Sequence, residues 1–327
     1  MSLDHYVTLG RSGLRVSPFC LGAMTFGDDW GWGSTVPDAE AILTRYIEQG
    51  GNFLDTANAY TKGHSEKIIG DYVHQRGLRR DNLVIATKFF ANLFPPDPNA
   101  GGASRKSVTA ACNESLRRLQ TDYIDLYWMH LWDRFTPIEE TLRALDDLVA
   151  AGKVRYIGFS DTPAWKVAQA QVTASFRGWT PLVALQIGYS LIERTVEGEL
   201  IPMAQELGLG VTPWSPLRGG VLTGKYTREN VKDAKPGRGE RVTAYLDERT
   251  FGIIDELVRI AGEVDTTPAA VALAWVQTKP EVDSTIIGAR TMEQLEQDLA
   301  GLAVTLDDRQ VEALDQVSTP TLSFPLP

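Results

Sequence analysis

The chain has 327 residues, 43% apolar and 23% charged, with a net charge of −10 and a pI near 5.0. That is the balance of an ordinary globular protein, and its acidity argues against a nucleic-acid surface. The two cysteines, Cys20 and Cys112, suit neither a disulfide scaffold nor a zinc site, so buried free thiols are expected. Residues 1–5 carry no basic stretch leading into an apolar core, and no run reaches the ~20 apolar residues of a membrane span. We therefore expect a cytoplasmic protein without membrane or nucleic-acid partners.

Residues 7–9 and 14–16 flank Gly10-Arg11-Ser12-Gly13 and predict a small hairpin. A first buried strand covers 19–24, and 25–35, with Trp30 and Trp32 among glycines, predicts a loop. Pro37, Asp38 and Glu40 suit the first turn of a helix that Gly50-Gly51 stops. The unit then repeats. Strand 52–55 leads to a helix from Ser65 to Gly77, and strand 83–88 to a Pro- and Gly-rich loop and a helix over 104–120. After strand 124–130, Thr136-Pro137-Ile138-Glu139 predicts a capping box with proline at N1, and Gly152 an αL terminator. Strand 154–159 precedes the same threonine–proline pair, Thr162-Pro163. Strands 182–187 and 209–213 bracket a helix over 197–207, and the last strand is 284–287. The long interval before it holds a loop (217–246) and helices over 248–262 and 268–278.

Strands recurring roughly every 25–40 residues with helices between them predict parallel βαβ units, and eight such strands close a barrel. The expected fold is α/β: a (β/α)8 TIM barrel over residues 1–327 as one domain, with an N-terminal hairpin and extra helices in the C-terminal half. An open doubly wound sheet would want G-x-G-x-x-G after its first strand. Gly31-Trp32-Gly33 and Gly237-Arg238-Gly239 are followed by Val36 and Val242 at the third glycine's place.

Asp55, Lys88 and His130 close three successive predicted strands, and Tyr60 lies just beyond the first. In a barrel such positions gather at the C-terminal face, where active sites form. A carbonyl that accepts a hydride develops negative charge on its oxygen, which an acid must neutralise. Tyr60 would donate the proton, and Lys88 would stabilise its phenolate and lower its pKa. Asp55 would hold Lys88, and His130 would donate a hydrogen bond to the substrate oxygen. No metal is required. Each residue taken alone has an ordinary structural explanation; the four together do not.

Leu54-Asp55-Thr56-Ala57-Asn58-Ala59-Tyr60, Ala86-Thr87-Lys88 and Trp128-Met129-His130 resemble the catalytic signatures of the aldo-keto reductase superfamily. The run from Thr136 through Gly158-Phe159-Ser160 is similar as well, and Gly22-Ala23-Met24-Thr25-Phe26-Gly27 resembles the bacterial aryl-alcohol dehydrogenase-like branch. The resemblance spans about residues 6–300 and implies a nicotinamide cofactor, NADPH/NADP. It implies that Ser160, Asp161 and Gln186 hold the carboxamide, with Asp161 replacing the usual asparagine and so unable to donate unless protonated. It gives Met24 a cofactor contact, Trp214 the face that stacks on the nicotinamide, and Ser215, Pro216, Leu217 and Lys225 the pyrophosphate. Gly288, Ala289, Arg290, Gln294 and Asp298 fall in the adenosine-phosphate motif. There Arg290, helped by Thr291, would take a 2′-phosphate, and Asp298 again replaces asparagine. Gly219 to Lys225 matches seven places of a Walker A loop but puts Tyr226 where Ser or Thr must meet magnesium.

Trp30, Trp32, Phe89, Phe90 and Trp132 are expected around the mouth, with Trp128 one layer deeper as core. Arg134, Arg218 or Arg241 would add a charge there. The expected activity is reversible NADPH-dependent reduction of a small-molecule aldehyde or ketone. The alternatives are a mainly oxidative alcohol or sugar dehydrogenase, or an NADPH-binding regulatory module like channel β-subunits.

Overall fold

The computed structural model describes residues 1–230 and 242–323. A two-stranded hairpin, β1 (Val7–Thr8) and β2 (Arg15–Val16), precedes the barrel. The barrel strands are β3 (Phe19–Gly22), β4 (Phe53–Asp55), β5 (Val84–Phe89), β6 (Ile124–Met129), β7 (Val154–Ser160), β8 (Leu182–Gly188), β9 (Gly210–Trp214) and β10 (Thr285–Ile287). All eight run parallel in the order β10-β3-β4-β5-β6-β7-β8-β9. A bridge between Val211 and Val282 brings β9 back beside the start of β10, so the barrel is nearly closed.

The crossover helices are α1 (Val36–Glu48), α2 (His64–Gln75), α3 (Arg105–Leu119), α4 (Ile138–Ala150), α5 (Ala164–Arg177) and α6 (Leu200–Leu207). Between β9 and β10 lie α7 (Glu248–Glu263) and α8 (Pro268–Gln277), and α9 (Met292–Ala300) and α10 (Asp308–Val317) follow the last strand. Helix α8 is buried from Ala269 to Val276; α7 lies over it and against α10. Among the described residues no helix is long and apolar enough to cross a membrane.

Strand alternation sorts the side chains into two cores. Cys20, Phe53, Val84, Ala86, Leu126, Trp128 and Ile286 point into the barrel. Leu21, Leu54, Ile85, Tyr127, Met129, Ile157 and Ile287 point out against the helices. The Trp128 indole crosses the interior because Gly158 stands opposite; a Cβ there would meet Trp128 ring carbon at 2.4 Å. Both cysteines are free and buried, as expected. The hairpin closes the bottom of the barrel: Leu9 and Val16 enter the interior core. Gly10 N donates to Asp283 at 2.7 Å, and a Cβ on Gly10 would lie 2.4 Å from Gly210 N.

The expected proline caps need correction. Pro137 and Pro163 are themselves the N-cap residues, with extended backbone, and α4 and α5 begin one residue later than proline at N1 would require. No capping box forms, because the cap position falls on a proline, which has no side-chain acceptor for the first-turn N–H groups. The threonine hydroxyls before the prolines donate outside the helix, Thr136 to Asp133 and Thr162 to the Ser160 carbonyl. Gly152 does terminate its helix with φ +73°. The helix expected over 197–207 starts only at Leu200, after a single tight turn at Thr195–Glu197.

Candidate active site

The parallel register carries the C-terminal ends of β4, β5, β6, β7 and β8 to one face. Asp55 ends β4, Lys88 is the penultimate residue of β5, and His130 follows β6. Asp55 and Lys88 share the inward parity of Phe53, Val84 and Ala86, so both side chains enter the barrel top. Lys88 is fully buried and donates three hydrogen bonds: to the Asp55 carboxylate, to the Thr56 carbonyl at 2.9 Å and to the Tyr60 oxygen at 3.1 Å. Gln186 Nε2 supports the second Asp55 oxygen at 2.9 Å. His130 packs edge-on to Tyr60, ring centroids 5.8 Å apart. Tyr60 opens a short turn in which Thr61 and Lys62 both adopt left-handed backbone (φ 45° and 54°), a strained conformation for non-glycine residues. Thr61 is held there by its hydroxyl, which donates to the Phe26 carbonyl and accepts from Ser65 N.

These contacts set the charges. Burial pushes the Tyr60 phenol above its ordinary value; Lys88 pulls it down but does not prevail. The expected net lowering is therefore corrected: the lysine acts in the direction foreseen, and enclosure outweighs it. Burial also works against the Lys88 ammonium, but Asp55 and Tyr60 together hold its pKa above normal. Burial, with the nearby Lys88 charge, lowers His130 to about 3, so its imidazole is neutral. The centre thus holds a protonated phenol, an ammonium–carboxylate pair and a neutral imidazole.

A cleft of about 590 Å³ runs from Asp55, Tyr60 and His130 past the loop after β9 to the start of α9. Met24, Ser160, Asp161, Gln186, Trp214, Ser215, Pro216, Leu217, Lys225, Gly288, Arg290, Gln294 and Asp298 all line it. Ala289 does not; its side chain is buried and its carbonyl accepts from Thr25. Lys88 lies beneath the lining, reaching it through Tyr60 and Asp55. Gln294 is turned back as a cap, its Oε1 accepting from Arg290 N while Thr291 accepts from Gln294 N. The Arg290 and Gln294 positions are thereby fixed by one another.

The cleft fits an elongated anionic ligand. The Arg290 guanidinium has no partner among the described residues, and Gly288 faces open space with nothing within 4 Å of a would-be Cβ. Gly220 opens a cradle that a Cβ would fill, 2.8 Å from Lys225 Nζ. No helix starts at Lys225, where residues 225–227 are irregular, so the loop lacks the Walker A context.

Across residues 18–319 the chain matches the model of the aldo/keto reductase family. The chain is an aldo-keto reductase. It is 39% identical to the uncharacterized oxidoreductase YrpG of Bacillus subtilis, over 96% of this chain and 95% of that protein. It is 37% identical to norsolorinic acid reductase stcV of Emericella nidulans (98% of this chain, 83% of that one). It is 35% identical to aryl-alcohol dehydrogenase [NADP(+)] of Phanerodontia chrysosporium (96% and 85%). The aldo-keto reductase is thus an oxidoreductase acting on carbonyl chemistry, from a family that generally uses NAD(P)H.

In this aldo-keto reductase the aromatics pair with one another instead of forming one wall. Trp30 stacks obliquely on Trp32 at 5.4 Å and Trp132 meets Trp165 edge-on at 5.6 Å. Phe89 points outward into the helix-side core beside Tyr127, since its parity is opposite to Lys88. Trp128 is core, as alternation predicts. Of the arginines, Arg218 lies over Trp214 and Tyr245 and reaches Glu193 at 3.5 Å. Arg134 is exposed over Phe135. Arg241 lies outside the described residues. Sequence reasoning missed Ala269 and Leu273, one turn apart on α8, and Gln297, one turn beyond Gln294, all of which line the cleft. Helical spacing alone would have found Gln297. It also missed the bond from the Trp214 indole N–H to Asp161, 3.0 Å long across 53 residues of sequence.

Proposed function

We propose that the chain catalyses reversible, NADPH-dependent reduction of aldehydes or ketones, with Tyr60 as proton donor. The observation that carries this reading is the buried Asp55–Lys88–Tyr60 chain of hydrogen bonds at the inner end of a cleft whose far end holds Arg290, its guanidinium without a partner among the described residues. Bound in that cleft, the reduced nicotinamide supplies a hydride from C4. Ser160, Asp161 and Gln186 would orient its carboxamide, Trp214 would lie against its ring, and Lys225 and Arg290 would take the phosphates. Tyr60 gives its proton to the carbonyl oxygen, and Lys88 stabilises the phenolate left behind. Asp55 holds Lys88 aimed at that oxygen. Neutral His130 donates a hydrogen bond to the same carbonyl and fixes its direction. In alcohol oxidation the groups exchange roles.

An aromatic substrate is favoured by the aryl-alcohol dehydrogenase relative and by two tryptophan pairs, Trp30 with Trp32 in the loop after β3 and Trp132, after β6, with Trp165 at the start of α5. The test is NADPH and NADH oxidation with a panel of aromatic and aliphatic aldehydes, wild type beside Tyr60→Phe. Turnover with NADPH should fall about 10²- to 10⁴-fold in the variant, with NADPH binding changed less than about threefold. Tight NADPH binding without turnover on any carbonyl or alcohol would refute the enzyme reading.

A further inference from the structure

The inner end of the cleft carries one charge that the hydrogen-bond chain does not use. Asp161 follows β7 with left-handed backbone (φ 42°), and its carboxylate lines the cleft with Tyr60, His130, Ser160 and Gln186. Lys88 is committed to Asp55, and no cation among the described residues lies within ion-pair distance of Asp161. Its side-chain partner is neutral, the Trp214 indole N–H at 3.0 Å. The Arg218 guanidinium, on the Trp214 ring, is directed to Glu193. Asp161 is exposed to the open cleft, where partial desolvation still raises its carboxyl, with Trp214 and Lys88 opposing. Tyr60 and His130 are uncharged and Asp55 and Lys88 cancel, so Asp161 leaves this end of the cleft with one net negative charge.

We propose that the Asp161 carboxylate is an electrostatic partner for the positive charge that appears on the nicotinamide ring, so that the protein holds NADP in preference to NADPH and makes bound NADPH a stronger hydride donor. This rests on the reading of the cleft as a nicotinamide site. In carbonyl reduction the dinucleotide is oxidised as two electrons and a proton pass as hydride to the carbonyl carbon. The C=O π pair goes to oxygen, which takes the Tyr60 proton. The ring changes from neutral to +1 beside a carboxylate already in place, the arrangement that lowers a barrier by preorganised charge. A neutral amide at this position would give hydrogen bonds of the same geometry to both redox forms but would discriminate between them far less. Unit charges several ångströms apart in a protein-like medium change a binding ratio about tenfold or more.

The test is direct binding, without any carbonyl present. Dissociation constants of NADP and NADPH are titrated at pH 8, above the carboxylate range, for wild type, Asp161→Asn and Asp161→Ser. The two variants share only the lost charge: the amide can donate and accept, and the shorter serine cannot reach as far. In both, the preference for NADP over NADPH should fall about tenfold, and single-turnover hydride transfer from NADPH should slow. Equal changes in the two constants, or none, in both folded variants would overturn the inference while leaving the cleft reading intact. A wild-type protein that binds neither dinucleotide would overturn the cleft reading itself.

Discussion

Replacing Lys88 by Met separates what the buried ammonium does for the fold from what it does for the chemistry. Met has nearly the same length and volume, so little cavity results. Three hydrogen bonds are lost, to Asp55, to the Thr56 carbonyl and to Tyr60. The Asp55 carboxylate, 2% exposed, keeps only the Gln186 amide. Breaking a buried ion pair by removing one partner costs about 3–5 kcal/mol, chiefly because the other charge is left uncompensated. Lys88→Met should therefore lose about that much stability. Lys88→Met/Asp55→Asn, which removes both charges, should recover to within about 1.5 kcal/mol of wild type. Activity should not recover. Without the ammonium the Tyr60 phenolate has no stabilising charge, and both variants should reduce aldehydes at least about 100-fold more slowly. The assay is chemical denaturation followed by circular dichroism and tryptophan fluorescence, with coincident curves, beside NADPH oxidation. A single variant that loses less than about 1 kcal/mol, or a double variant no more stable than the single, would refute the reasoning about Asp55.

Arg290→Ala should raise the NADPH dissociation constant about 10- to 100-fold, the value of a charge-assisted pair, and that of NADH less than about threefold. Equal losses in fluorescence titrations would remove the case for a 2′-phosphate contact. Asp298→Asn should stabilise the unliganded protein at pH 8 and hardly at all at pH 4. Burial raises the Asp298 carboxyl to about 7, above its unfolded value near 4. Its contribution is therefore full at acid pH and is lost as pH rises through about 7, amounting to as much as ~4 kcal/mol. Melting temperatures of the two proteins should diverge between about pH 4 and 7; parallel curves would mean that Asp298 is hydrated in the folded state.

The barrel was legible because strands buried on both faces read as short apolar runs between glycine and proline breaks. Residues 83–88 and 124–130 needed no partner to be recognised. The catalytic face was legible for a related reason: a polar residue at the end of such a run, as with Asp55, Lys88 and His130, has nowhere to point but the barrel top. The exact helix starts were not legible. Thr136 and Thr162 match an N-cap pattern, yet the helices begin one residue later, with Pro137 and Pro163 at the cap. Gln294 matches a ligand motif, and nothing in that motif announces that its Oε1 also accepts from Arg290 N. Nor was the Tyr60 shift, because spacing reveals which charge lies near a phenol but not how completely the phenol is enclosed. Asp161 and Trp214 meet only when β7 and β9 are brought to either side of β8, which no local pattern announces.

The hairpin at the barrel floor also constrains how the protein can be made. Gly10 bonds to Asp283, 273 residues later, and Arg11 N to the Gly208 carbonyl. At ~5–20 residues per second on a ribosome, roughly 15–55 s separate the synthesis of this stopper from that of its seat. So short a hairpin does not hold itself together in water. Leu9 and Val16 therefore emerge long before Asp283 and stay without their full cover until that residue arrives, so this hairpin is among the last elements to reach its final position.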